Sequence, residues 1–344
     1  MTSQSEPELF REICSRAKRI EQLYVFLPVC WRKSKFMIFD LKNAAQYNGT
    51  ECIAKGVDPG SGRIMTRLLN QDQNELLIKH ENLQLVNLNL DEKSEPVLCK
   101  AKERLSVSSS TSVPMTREGL ASSIVNLTQG LLDVTFAIEN NMVDDDFSNK
   151  SLFREILSTL KGVEDLCLKY CACFGDKPSN GTEAMKEVLG DGMAECVHWR
   201  RGALAYMFTA VEANFQHELE LSLIEEGLEQ FESMLGTRGK KYQEDADDCE
   251  GNEDVREMLK NSILSDTHLL SVVYSGEMCY WAWKDQNVSA SSEDVKTSFR
   301  ARAVSFLKKY LHIVSIMTKA GPNSVGSGWD TTRAESLISE LQGQ

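Results

Sequence analysis

The best metal-ligand set in this 344-residue chain is Cys167, Cys171 and Cys173, with Cys196 and His198 downstream. Thiolate and imidazole are the ligands of structural zinc, and positions 167 and 171 lie about one helical turn apart. The spacing is not the CxxC pair of a zinc knuckle, and a buried free cysteine also serves as a small apolar residue. Structural thiols are therefore the expectation. Ser275 or Cys279 with His268 and Asp266 would supply a nucleophile, a base and an orienting acid on one predicted helix. A nucleophile also needs an oxyanion site and a cleft, and the sequence displays neither. His268, beside Leu264, Leu269 and Leu270, has the surroundings of a hydrogen-bonded core histidine. Gly60-Ser61-Gly62 is too short for a phosphate loop and lacks its lysine, and neither HExxH nor GxSxG occurs. Asp245, Asp247 and Asp248 lack the glycine and final glutamate of an EF-hand loop. The reading assigns no catalytic, cofactor-binding or metal-ligating residue.

Two charges on apolar stripes carry more weight. Arg201 follows Val197 by four and precedes Leu204 by three, and Glu277 lies four from both Val273 and Trp281. A lone buried charge costs several kcal/mol, so each needs a partner. The expectation is a structural clamp in which Arg201 or Arg200 pairs with Glu277 between two helices. The face beside Trp199 and Tyr206 is the alternative, as a partner-binding surface rich in hot-spot residue types.

The elements that carry these residues are helices. Leu120, Ile124, Leu127, Leu131, Val134 and Ile138 step by three and four, one face of a helix that Thr116 caps after Pro114. A second helix is predicted over Lys150–Cys173, with Leu152, Ile156, Leu160, Val163, Leu166 and Tyr170 inward, followed by a loop over Phe174–Thr182. Asp191 caps the next, whose stripe is Met193, Val197, Leu204, Phe208, Val211 and Phe215. It either continues through Leu221, Ile224, Leu228, Phe231 and Leu235 to Gly236, or breaks near Glu218. Val255–Trp283 is predicted helical, with a restart at Ser265 or Asp266. Over Val295–Thr318, Phe299, Ala303, Phe306, Tyr310, Ile313 and Met317 adjoin a second stripe of Val304, Leu307, Leu311 and Val314. So wide an apolar face implies a central helix with several neighbours. A short helix from Thr331 follows. The fold class is all-α, a multi-helix bundle or layered helical array.

Residues 1–115 read as a variable, partly disordered N-terminal region. Glu8–Leu23 fits an amphipathic helix, Tyr24–Asp40 is β-favouring, Gln46–Arg63 is glycine-rich loop, and Leu76–Leu90 is a strand or frayed helix. A serine-rich linker at 106–115 separates this region from a helical core over 116–344, which contains an acidic loop at 236–254. No apolar run nears the roughly 20 residues of a membrane span, and no signal peptide is evident. Ten cysteines without such a signal suggest reduced thiols in a protein of the cytosol or nucleus. A net charge of −13 disfavours nucleic acid as a partner. Arg32, Lys33 and Lys35 among the apolar residues of Phe10–Phe39 leave peripheral membrane contact as an alternative.

Two long words stand out: Glu195-Cys196-Val197-His198-Trp199-Arg200-Arg201-Gly202-Ala203-Leu204-Ala205-Tyr206-Met207, and Ser265–Leu270 followed by Tyr274-Ser275-Gly276-Glu277-Met278-Cys279-Tyr280-Trp281. They resemble two blocks of the RIMOC family, the Rab-seven-interacting subunits of the Mon–Ccz guanine-nucleotide exchange complex. Weaker likenesses at Leu131–Phe147, Leu307–Tyr310 and Trp329–Ala334 follow in family order, whereas residues from about 24 to 96 and the acidic loop have no counterpart. The signature residues are Trp199, Gly202, Tyr206, His268, Tyr274, Gly276, Tyr280 and Trp281. The resemblance implies a non-catalytic accessory subunit without cofactor. It would bind the Mon–Ccz complex and the late-endosomal Rab GTPase, and govern the Rab's localisation and stability in mitophagy. It would be cytosolic and recruited to damaged mitochondria or late endosomes. The alternatives are a helical scaffold or membrane-peripheral adaptor unrelated to Rab, or a helical enzyme with a pocket joining His268, Glu277 and His198.

Overall fold

Side-chain alternation of period two shapes residues 35–87, and the helical period shapes nearly everything after them. The computed structural model describes residues 5–23, 35–38, 40–42, 44–57, 61, 63–69, 75–79, 82–87, 100–101, 103–106, 116–144, 146–237, 265–285, 293–319 and 329–343. Positions 107–115 of the expected linker, 238–254 of the expected acidic loop and the expected helical stretch 255–264 lie outside them. The chain divides into two compact units, Met1–Met193 and Ala194–Gln344. The expected boundary at 115/116 falls inside the first.

In the first unit, α1 (Glu6–Leu23) buries Leu9, Ile13, Ala17, Ile20 and Leu23. A five-stranded antiparallel sheet follows: β1 (Lys35–Ile38), β2 (Glu51–Val57), β3 (Ile64–Leu68), β4 (Glu75–Ile78) and β5 (Leu83–Asn87), in the order β4-β3-β2-β1-β5. Ile64, Thr66 and Leu68 face inward, and Met65 and Arg67 outward, as strand geometry requires. β2 corrects the loop reading of Gln46–Arg63. Its glycines mark local irregularities, a positive φ of 79° at Gly49 and a register shift between Ala54 and Gly56.

Among the described residues, a helical stretch at 100–101 and 103–106 precedes three longer helices in this unit: α2 (Arg117–Asp144), α3 (Lys150–Cys173) and α4 (Gly181–Leu189). Thr116 Oγ1 accepts the Gly119 N–H at 3.2 Å, and Asn149 Oδ1 accepts that of Leu152 at 3.1 Å, so both starts are capped. The expected inward stripes of α2 and α3 are buried throughout. The reading missed α4, which starts inside the expected loop because Asn180 Oδ1 takes the Glu183 N–H at 2.9 Å. α1 packs on α2 and α3. Arg16 Nη1 donates to the main-chain carbonyl of Gly162 at 2.5 Å, Lys169 reaches Glu12 at 2.8 Å, and Arg19 pairs with Glu155 at 2.6 Å. A Cβ added at 162 would meet the end of that guanidinium, which would have to swing off the carbonyl. The apolar face of α1 is thus engaged within the protein. Among the described residues, no helix is long and apolar enough to cross a membrane.

Among the described residues, the second unit holds most of α5 (Asp191–Asn214), whose first turn belongs to the first, with α6 (Leu221–Gly236), α7 (Asp266–Lys284), α8 (Glu293–Lys319) and α9 (Thr332–Gly343). Between α5 and α6 the helix breaks, as one of the two readings held. Gln216 adopts φ 57°, and the Leu219 N–H turns to Asp285 Oδ2 at 3.0 Å. Phe215, expected on the buried stripe, lies past the last residue of α5 and is exposed. α8 packs on both α7 and α9, which accounts for its two adjacent stripes.

Candidate functional site

α5 and α7 carry apolar residues around most of their circumference, the pattern of helices enclosed by neighbours. α7 buries twelve of its nineteen residues. Contacts climb both helices in the same direction: Glu195 meets His268, Trp199 meets Tyr274, and Tyr206 meets Glu277 and Trp281. The two therefore run parallel. Between them lies an aromatic seam. Tyr206 and Tyr274 stack with centroids 3.7 Å apart and 9° between planes, Trp199 stacks on Tyr274 at 6.1 Å, and Trp281 tilts onto Tyr206 at 5.4 Å. Ring pairs of this kind contribute about 0.5–1.5 kcal/mol each beyond area burial. All four rings are half-buried.

Glycines set how closely the neighbouring helices approach. An added Cβ at Gly202 would sit 2.6 Å from the Phe231 ring of α6, and at Gly276 it would sit 2.8 Å from Leu307 of α8. At Gly227 of α6 it would meet Met278 at 2.7 Å and Ala205 at 2.9 Å. Gly202 and Gly276 of the signature are thus contact points between helix backbones and side chains.

Arg201 and Glu277 are both buried, at 3% and 4% exposure, and both are paired, but the expected partners need correction. Arg201 Nη2 reaches Glu226 Oε1 of α6 at 3.0 Å. Glu277 Oε1 pairs with Arg333 of α9, and its Oε2 accepts the Tyr206 hydroxyl at 2.5 Å. The reason is angular: Arg201 lies one turn before Ala205, which faces Gly227 of α6, whereas Glu277 meets Arg333 of α9. Arg200 is half-buried beside them. Burial first, and then the adjoining Glu277 carboxylate, push the Tyr206 phenol far above its ordinary value. Sequence reasoning missed Glu226 and Arg333 as partners, although Arg333 stood within one of the weaker family words.

The groups considered for catalysis have structural engagements. His268 occupies the third position of α7, where a capping box ordinarily carries Glu or Gln. Its Nδ1 accepts from the Ser265 N–H at 3.3 Å and lies 2.7 Å from Ser265 Oγ, while Nε2 lies 3.9 Å from Glu195 Oε1. Ser275 Oγ donates to the Ser271 carbonyl at 2.7 Å, and burial pushes the Cys279 thiol up to about 12. Asp266 is exposed at the helix start. His198 Nδ1 lies 2.9 Å from Gln230 Oε1. A cavity of about 560 Å³ opens at the C-terminal ends of α5 and α7, lined by residues including His217, Trp281, Lys284 and Asp285. His198, His268 and Glu277 are not among its lining residues.

Of the cysteine cluster, Cys167 and Cys171 are buried in α3 and Cys173 is half-buried, while Cys196 of α5 is exposed. Burial raises the Cys167 thiol strongly and the Cys171 thiol less so, which opposes the thiolate form that metal binding needs. Among the described residues, no group of three or more His, Cys, Asp or Glu side chains is placed to hold a metal ion.

The sequence profile of the family described as RAB7A-interacting MON1-CCZ1 complex subunit 1 matches residues 99–342. The protein of that name from Danio rerio is 31% identical over 231 residues, covering 62% of this chain and 76% of the relative. Its Homo sapiens counterpart is 31% identical over 242 residues, covering 61% and 74%. The Mus musculus protein is 28% identical over 246 residues, covering 62% and 76%. No solved structure matches. The seam of α5 and α7 lies within the matched span, whereas α1 and the sheet precede it.

Proposed function

We propose that this chain, which belongs to the RAB7A-interacting MON1-CCZ1 complex subunit 1 family, works as a non-catalytic accessory subunit of Rab-dependent membrane traffic. It binds a MON1–CCZ1-type exchange complex and a RAB7A-type GTPase, the partners printed in its relatives' name. Through them it governs the localisation and stability of the Rab during removal of damaged mitochondria, acting from a cytosolic pool recruited to mitochondria or late endosomes.

One observation carries the reading. The family match spans residues 99–342, and the signature residues inside it are committed to packing, capping and hydrogen bonding. Such a seam suits a rigid scaffold that presents surfaces to partners. The mitochondrial part of the reading rests on the family resemblance. The test is a pull-down of purified MON1–CCZ1 and of RAB7A, in GDP and GTP forms, by the full chain. Capture of the exchange complex is expected; capture of neither partner overturns the reading. In cells lacking the chain, less Rab should reach depolarised mitochondria, and undiminished recruitment would remove the mitophagy assignment.

A further inference from the structure

α9 is held differently from the other helices of its unit. Only Ala334 and Leu341 of its twelve residues are buried, whereas α6 buries eight of sixteen and α7 twelve of nineteen. Leu337 and Ile338 are half-buried, and the rest of the attachment is polar. Arg333 pairs with the buried Glu277 of α7. Two turns on, Glu340 accepts the Tyr280 hydroxyl at 2.7 Å and Lys284 at 3.1 Å. Arg300 of α8 donates to the Leu341 carbonyl at 2.7 Å, satisfying a last-turn carbonyl that the helix itself leaves open. Ahead of the helix, the Tyr310 hydroxyl donates to the Asp330 carbonyl at 2.9 Å.

These contacts spell out a recognition pattern. Residues 333 and 340, and likewise 334 and 341, are seven apart and share one helix face. The receiving surface offers a carboxylate to a cation, then a hydroxyl and an ammonium to an acid two turns later. Beyond them a guanidinium meets the helix C-terminus, where a cation is electrostatically favoured. We propose that this surface of α7 and α8 is a helix-binding groove and that α9 is its releasable occupant, a strap that leaves as a unit while α5 to α8 stay folded. A helix of this length has marginal stability in water once off its support, so release is an order-to-disorder step. The groove then takes a partner's amphipathic helix with α9's own spacing, an Arg followed by a small residue and, seven positions on, an acid followed by Leu. This inference stands apart from the family-based function.

Salt distinguishes such a strap from a core helix. Lys284 and Glu340 side chains are 59% and 37% exposed and Arg333 is 62% exposed, so dissolved ions screen their pairings. The test is hydrogen exchange by mass spectrometry on the full chain, wild type and Arg333→Gln/Glu340→Gln, at low and high NaCl. α9 amides should exchange about ten-fold faster in the variant and in high salt, with α5 and α7 amides unchanged. Since Arg333→Gln leaves Glu277 with Tyr206, Glu340→Gln alone serves as the milder variant, and it should speed α9 about three-fold. A labelled peptide of residues 329–343 should bind the double variant about ten-fold more tightly than the wild type, where α9 competes for the groove. Exchange of α9 in step with α7 in every protein would make it a core helix and overturn the strap. A peptide that binds neither protein would overturn the groove.

Discussion

Replacing Gly202 by alanine pits two effects of known size against each other. Alanine favours a helix over glycine by about 0.8–1.0 kcal/mol, so an unobstructed site would gain stability. At position 202 the new methyl would lie 2.6, 2.7 and 3.0 Å from three atoms of the Phe231 ring. Ordinary contact begins near 3.4 Å, so the ring must withdraw by about 0.8 Å, the difference between 3.4 and 2.6. Phe231 has little room to do so: it is 0% exposed and packs near Trp199 and Tyr274, at 5.9 and 6.3 Å between centroids. Overpacking of this kind costs about 1–3 kcal/mol, and the confinement of the ring argues for the upper half of that range. The expected net loss for Gly202→Ala is about 1–2 kcal/mol. Gly192, on the same helix, has no atom within 4 Å of the added Cβ, so Gly192→Ala should be neutral or stabilising by up to about 1 kcal/mol. Urea denaturation of the full chain, followed by the fluorescence of Trp199, Trp281 and the other tryptophans, reads both. If the two variants shift the midpoint in the same direction and by similar amounts, the close approach of α5 and α6 is not the determinant claimed.

Tyr206→Phe removes a hydroxyl that donates to the buried Glu277 at 2.5 Å and should cost about 1–2 kcal/mol in the same assay; an unchanged midpoint would mean that Arg333 alone satisfies the acid. Acid should loosen α9. Hydrogen bonds from Tyr280 and Lys284 hold the Glu340 carboxyl below its ordinary value, and Thr332 does the same for Asp330. Depressed carboxyl values add stability above the unfolded-state value and lose it as pH falls through the folded one, so α9 protection should drop below the ordinary carboxylate range and stay level near neutrality. Protection unaltered down to about pH 3 would refute that linkage. Thiol alkylation mapped by mass spectrometry at mildly alkaline pH should modify exposed Cys196, whereas Cys52 and Cys279, buried and raised to about 12, should react only on unfolding. Early labelling of Cys279 would contradict its placement in the core.

The helical stripes were legible because period alone reports which residues share a face, and burial at Leu120 through Ile138 and Leu152 through Tyr170 follows it. Punctuation residues misled in both directions. Glycines read as loop sit within or beside β2, and Asn180, read as part of a loop, caps α4. The buried charges show a deeper limit. The need for partners could be read from Arg201 and Glu277, but period does not say which neighbouring helix each face meets, and the answers were α6 and α9. The family words located the seam without revealing why each residue stands there. Gly202 and Gly276 permit contact, His268 caps a helix, and Trp199, Tyr206, Tyr274 and Trp281 stack.

The guanidinium of Arg16 over the Gly162 carbonyl shows that the matched span and the folding unit have different boundaries. The family match begins at residue 99, yet α3, inside that match, has a bare backbone patch shaped for an arginine that lies outside it. A chain trimmed to the shared boundaries would expose the flank to which α1 brings five buried apolar residues, and such a face invites aggregation. Preparing only the matched portion would therefore yield a sticky fragment whose spurious binding would mimic partner recognition. The N-terminal helix should be carried along as the rest of the fold's own wall.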